Sequence, residues 1–216
     1  TRLESTPGVK EVSGFSVLPL SRDNNGTIAL LPGMADAKQG IVVNTSTVLP
    51  GGFRTLGVPL RRGREFQPQD DERGQRVAVV SQSFAQRAWP GQDAIGRQVR
   101  FAGEVDSIGW RTVVGVVGDI TQNMENDKPT LCTVYTSEYQ EAAQYMSMLV
   151  RTGDDGTRGA AAMRAVMRAV NPDLPVMDVR TMRDELHFNL WVRRLFGTLI
   201  AAFGVVALII AAVGLY

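Results

Sequence analysis

From residue 195 to residue 216 the chain reads LFGTLIAAFGVVALIIAAVGLY, 22 residues without one charged side chain. A helix needs about 20 mainly apolar residues to cross the roughly 30 Å hydrocarbon layer of a bilayer, so this run reads first as a membrane span. A buried helix of a soluble core is the plain alternative, but such helices are usually shorter and apolar on one side only. The flank agrees with a span. Trp191 has an amphipathic ring suited to the headgroup layer, and Arg193 and Arg194 can snorkel from the helix end, so these three are the expected membrane-interface anchors. Within the span Gly197, Ala201, Gly204, Ala207, Ala211 and Gly214 recur at steps of three or four and line one helix face. Such a face lets a second helix approach closely in lipid.

What precedes the span has the composition of a folded protein. With 216 residues, 44% hydrophobic and 21% charged, the chain can bury a proper core in one or two domains. Its 23 basic and 22 acidic residues leave a formal charge of +1, so no overall field recruits nucleic acid. Cys132 is the only cysteine, which excludes an internal disulfide. The chain begins with Thr1 and carries no signal peptide, and it is expected to be a fragment of a larger membrane protein.

The amino-terminal third reads as strands and turns. Asn24-Asn25-Gly26 lies between two apolar runs and predicts a tight hairpin; it also forms, with Thr27, one of two glycosylation-type triplets, the other starting at Asn44. A further strand is expected at 40–43. PLRRGREF and the acidic Asp70-Asp71-Glu72 read as a polar connection into the apolar strand at 76–80. Ser81 or Ser83 then caps a short helix that Pro90-Gly91 ends. Strands follow at 97–101, at 111–117, where RTVVGVV demands cover on both faces, and at 146–151. Ala160, Met163, Val166, Met167 and Val170 recur at helical spacing opposite Arg164 and Arg168, and a strand at 175–179 would complete a β-α-β unit. Thr181 and Asp184 form a capping box, and nothing after them breaks a helix.

Candidate chemistry is sparse. No glycine-rich loop closes on Lys-Ser or Lys-Thr, so the chain alone is not expected to bind or hydrolyse a nucleotide. The glycine-bearing stretch 153–159 carries two Asp side chains that oppose anion binding. VVSQSFA has the order of a nucleophile elbow without its glycines, so Ser81 and Ser83 read as caps. The lone His187 has no second ligand at metal spacing, Asp70, Asp71 and Glu72 read as a solvated face, and Asp119 as a turn residue. No catalytic, cofactor-binding or metal-ligating residue is expected.

Several ordered stretches together resemble one family: VLPGGFRTLGVPLRRGREFQPQDD, RVAVVSQSFAQRAWPGQDAIGRQVRF, TVVGVVGDI, and NPDLPVMDVRTM running on through RRLFGTLIAAFGVVALIIAAVGLY. They are similar to the permease subunits of MacB/FtsX-type ABC transporters, closest to the bacterial group with a duplicated permease module. The resemblance implies an α+β extracytoplasmic core domain over 1–180, with two subdomains (1–60 with 146–180, and 61–145), a stalk helix over 181–194 and a transmembrane helix over 195–216. It implies a mixed sheet, no enzymatic activity, and a role in transmitting ATP-driven motion across the membrane. The implied partners are a separate ABC ATPase subunit, a second permease copy or half, the lipid bilayer and a periplasmic protein. The implied place is the bacterial inner membrane, with the main domain on the periplasmic side. The rival readings are a membrane-tethered sensor domain and, less well supported, a tethered hydrolase.

Overall fold

A computed structural model of the chain describes residues 9–19, 25–34, 36–104, 109–120, 132–153, 157–170, 179 and 181–214. The described strands are β1 (Val9–Phe15), β2 (Gly26–Leu30), β3 (Ile41–Val48), β4 (Leu60–Gly63), β5 (Val77–Ser81), β6 (Gln98–Phe101), β7 (Arg111–Val117), β8 (Thr133–Ser137) and β9 (Ser147–Thr152). The helices are α1 (Gly52–Leu56), α2 (Gln82–Ala88), α3 (Thr157–Val170) and α4 (Met182–Gly214). The chain divides into two compact units, Thr1–Met177 and Asp178–Tyr216.

In the first unit all nine strands join one mixed sheet in the order β2-β6-β7-β5-β8-β3-β1-β9, with β4 added along β7. Because β2 pairs with β3 as well as with β6, six strands close into a ring, which removes their free edges. Two pairs are parallel, β5 with β7 and β3 with β8. Parallel neighbours need a crossover, and between β5 and β7 that crossover includes α2. The fold class is α+β.

The sheet is covered on two faces by separate cores. Val43, Ala78, Val80, Val99, Val113 and Val134 pack with Phe84 and Trp89 of the α2 segment, whose rings meet edge to face at 5.7 Å. On the other face Phe15, Val48, Val77, Val79, Val117 and Tyr135 surround Phe53 of α1, which stands edge-on to Tyr135 at 4.9 Å. Alternate residues of β5 thus serve opposite cores, as the continuous apolar run requires.

Two expectations about the strands need correction, and one strand was not anticipated. Among the described residues the strands expected to form the Asn-Gly hairpin do not pair with each other: β1 pairs with β9 and β3, while β2 pairs with β3 and β6. The signal is local, whereas the partner is chosen by the core that buries Ala29 and Leu30. LRRG, read as connection, is β4, whose four residues are all exposed. An edge strand tolerates charge that a central one does not. TVYTS, not anticipated as a strand, is the fully buried β8, and its hydroxyls are satisfied: Thr136 meets Thr47 at 3.2 Å and Ser137 Oγ donates to the Asp70 carbonyl at 3.0 Å.

Where β4 meets β7 the backbones crowd. The β5–β7 register gains one residue at Val114, and a Cβ on Gly115 would strike the Arg64 carbonyl oxygen. Gly63 opposite adopts φ of 71°. Such a bulge with glycines marks a close approach that larger residues forbid.

In α3 Met163 and Met167 are half-buried while Arg164 and Arg168 are exposed, as the spacing predicts. The strand expected at 175–179, and with it the β-α-β unit, lies outside the described residues but for Val179. The second unit is α4, a single helix of 33 residues.

Candidate functional site

The start of α4 is fixed by reciprocal bonds. Asp184 N–H donates to Thr181 Oγ1 at 3.1 Å, and the Asp184 carboxylate accepts from the Thr181 amide at 3.3 Å and from its hydroxyl at 2.7 Å. A cap of this kind stabilises a helix by about 0.5–2 kcal/mol. At 1.5 Å per residue, α4 is about 50 Å long. Its candidate span is Phe196–Gly214, and none of it is buried. Phe196, Ile200, Phe203, Ile210 and Val213 are all exposed, which fits lipid as the surrounding medium and not a soluble core. Gly197, Ala201, Gly204, Ala207, Ala211 and Gly214 are exposed along the same helix. Trp191, Arg193 and Arg194 lie in α4 just before Phe196; their side chains, like that of His187, are outside those described.

In the first unit, the residues weighed for chemistry are structural. Ser81 is fully buried, and its Oγ accepts from Phe84 N–H at 3.3 Å and from Thr133 N–H at 3.0 Å, so it caps α2 and ties it to β8. The Asp119 carboxylate accepts from Ser83 N–H at 2.9 Å, a second cap on the same helix. Among the described residues no three His, Cys, Asp or Glu side chains gather around a common point for a cation. Asn44 is buried in β3, out of reach of a glycosylating enzyme. The stretch 154–156 lies outside the described residues.

The acidic run is not a solvated face throughout. Asp70 is only 5% exposed and takes a bidentate grip from Arg64 at 2.6 and 2.7 Å and a bond from Gln67 N–H at 2.8 Å. Burial pushes its carboxyl up, but the Arg64 and Gln67 bonds outweigh that and hold it below the usual range. Asp71 does stay exposed and closes a turn by accepting from Arg73 and Gly74 amides.

A second lock was not read from the sequence. Arg111 opens β7 at 1% exposure, between Glu104 at 2.8 and 2.5 Å and Glu141 at 2.7 and 2.5 Å, with its guanidinium 4.6 Å above the Phe101 ring. Burial lowers its affinity for the proton, and the two carboxylates more than restore it. Arg76 also reaches Glu141, at 3.2 Å. The only signal was an arginine beginning an apolar run. Both locks pin loops to the sheet.

Beside these, a cleft of about 650 Å³ lies between β1, the start of α1 and the 65–68 loop. A model of the family described as the MacB-like periplasmic core domain matches residues 2–169, most of the chain. The chain belongs to this family. Solved MacB-like folds agree with the architecture. The periplasmic region of MacB from Actinobacillus actinomycetemcomitans superposes with a TM-score of 0.55 at 15% identity, covering 78% of this chain and 71% of that one. The extracellular domain of the noncanonic ABC-type transporter YknZ from Gram-positive bacteria does so at 0.53 and 17% identity, covering 79% and 81%. At such identities the likeness is one of fold. No curated protein matches the sequence. The MacB-like core domain and the candidate span of α4 together make this a membrane-anchored protein with an extracytoplasmic domain.

Proposed function

We propose that this chain is the extracytoplasmic part of an ABC-transporter permease, and that it carries motion powered by a separate ATPase subunit across the bacterial inner membrane to the periplasmic side. The observation that carries the reading is α4: one helix, capped at Thr181, that runs from the end of a MacB-like core domain through a candidate span without a break. A helix held by continuous backbone bonds transmits displacement along its axis, so 181–194 acts as the stalk. Trp191, Arg193 and Arg194 anchor it at the headgroup layer. The small-residue face from Gly197 to Gly214 packs against a span of a second permease copy or half. The core domain works through 1–60 with 146–180 as one subdomain and 61–145 as the other, and none of its residues performs catalysis.

The test is a proline in the stalk. Leu190→Pro removes one α4 backbone bond and clashes with the preceding turn, costing about 3 kcal/mol or more and kinking the helix. In the complete transporter the variant is expected to insert, assemble and hydrolyse ATP, while distances between spin labels on paired outer domains cease to respond to ATP. An unchanged ATP response would show that the stalk is only a tether.

A further inference from the structure

Asn25-Gly26 is the one Asn-Gly pair in the sequence, and it stands at the entry to β2 with both residues exposed. The Asn25 carbonyl accepts twice from a single residue of β3, from the Thr45 amide at 2.9 Å and from the Thr45 hydroxyl at 3.3 Å. In the antiparallel register Gly26 lies opposite Asn44, so Asn25 and Thr45 make the neighbouring, hydrogen-bonded pair. Such pairs alternate along a ladder, and the Gly26 N–H therefore points away from β3. A Cβ on Gly26 would meet nothing within 4 Å, so the peptide between the two residues is open to approach.

A peptide unit is conjugated, and charge that forms on its nitrogen is shared with its oxygen. The oxygen of the Asn25–Gly26 peptide is the atom that Thr45 holds. Two donors already aimed at that oxygen favour loss of the Gly26 amide proton, as donors do wherever an oxyanion forms in place. The nitrogen freed in this way closes a five-membered ring when it reaches Asn25 Cγ, and glycine has no Cβ to hinder the closure. Asn44 is the contrast within the chain: it is buried in β3 and followed by a β-branched residue.

We infer that Asn25 is a self-modification site, at which the Gly26 nitrogen attacks Asn25 Cγ and expels the side-chain nitrogen as ammonia, with Thr45 as a positioning residue. Hydroxide from the solvent takes the Gly26 amide proton, the N–Cγ bond forms, and the Cγ–Nδ2 bond breaks as water protonates the leaving nitrogen. The product is a five-membered imide. Water then adds to one of its two carbonyls and that C–N bond breaks, leaving aspartate or isoaspartate; nothing is oxidised or reduced. Isoaspartate routes the chain through Cγ and adds one carbon to the backbone. The carbonyl that Thr45 holds is then displaced, which loosens β2 from β3 where the ring of strands closes. This chemistry is independent of stalk coupling.

The experiment is an incubation of the full chain in detergent micelles in mildly alkaline buffer, sampled over weeks and read by mass spectrometry of the tryptic peptide 23–38. Conversion of amide to acid is expected at position 25, as two isomeric products that separate by chromatography, while position 44 keeps its amide. Direct hydrolysis would give aspartate alone. The Asp155-Gly156 pair closes the same imide by losing water, so its products keep their mass and do not interfere. Gly26→Ala fits without a clash and is expected to slow the conversion at least fivefold. Thr45→Val keeps the branched shape and loses the hydroxyl donor, and it is expected to slow the conversion at least twofold with an unchanged circular dichroism spectrum. Thr45→Ser restores the donor and is expected to restore the rate. The inference is overturned if position 25 keeps its amide, if aspartate is the only product, or if Gly26→Ala or Thr45→Val converts as fast as the native chain.

Discussion

Asp70 sits where the chain returns from β4 toward β5, and its carboxylate satisfies both the Arg64 guanidinium and a loop amide. Removing its charge leaves Arg64 with a weaker partner, so Asp70→Asn is expected to cost about 1–3 kcal/mol in urea unfolding followed by tryptophan fluorescence. The acid response identifies the cause. A carboxyl held below its ordinary value contributes stability that is complete above its unfolded value of about 3.9 and is lost as pH falls through the folded value. Glu65 and Glu138, which burial pushes up, act in the opposite sense and gain stability as pH falls. They are common to both proteins, so the difference isolates Asp70: as pH falls below about 4 the native chain should lose stability more steeply than Asp70→Asn. Parallel pH profiles would mean that the ion pair contributes nothing.

At the scale of elements, the readable parts of the sequence were those whose signal is local. The apolar run of β5, the serine cap of α2, the one-sided pattern of α3 and the box at Thr181 each concern residues within one or two turns of each other, and each stands where expected. What escaped depended on distant partners. β4 is a strand only because β7 lies beside it, and β8 looks polar until its hydroxyls meet Thr47 and the Asp70 carbonyl. The Arg111 lock joins residues 104, 111 and 141, and no spacing rule links them. The cleft was equally hidden, since Glu11, Arg54 and Glu65 come from three segments. One glycine within an apolar strand did carry a readable hint of close approach. At Gly115 an added methyl has no room against the Arg64 carbonyl, and the obstacle is backbone, which cannot rotate away. Gly115→Ala is therefore expected to cost about 1–3 kcal/mol by overpacking, to part β4 from β7, and to speed amide exchange at Arg64. Unchanged exchange at that amide would place the crowding elsewhere.

For the whole molecule, the division falls between a unit with its own two cores and a helix with none. The first unit buries two apolar clusters, and among the described residues both are built from its own side chains. The candidate span does the reverse, exposing Phe196, Ile200, Phe203, Ile210 and Val213. Burying such a side chain in an apolar medium is favourable by about 1.5–3 kcal/mol, so these five alone favour lipid over water by roughly 10 kcal/mol. That is comparable to the whole stability of a small folded domain, about 5–15 kcal/mol, so the helix is expected to enter a bilayer or a detergent micelle. Ending the protein after Asp184 removes the span and keeps the Thr181 box together with every core residue of the first unit. Residues 1–184 are therefore expected to run as a single monodisperse species in aqueous buffer by light scattering, while the full chain stays in the membrane fraction until detergent is added. A full chain that was monomeric in plain buffer would require the 195–216 run to be buried within the protein, and the assignment of a membrane span would fall with it.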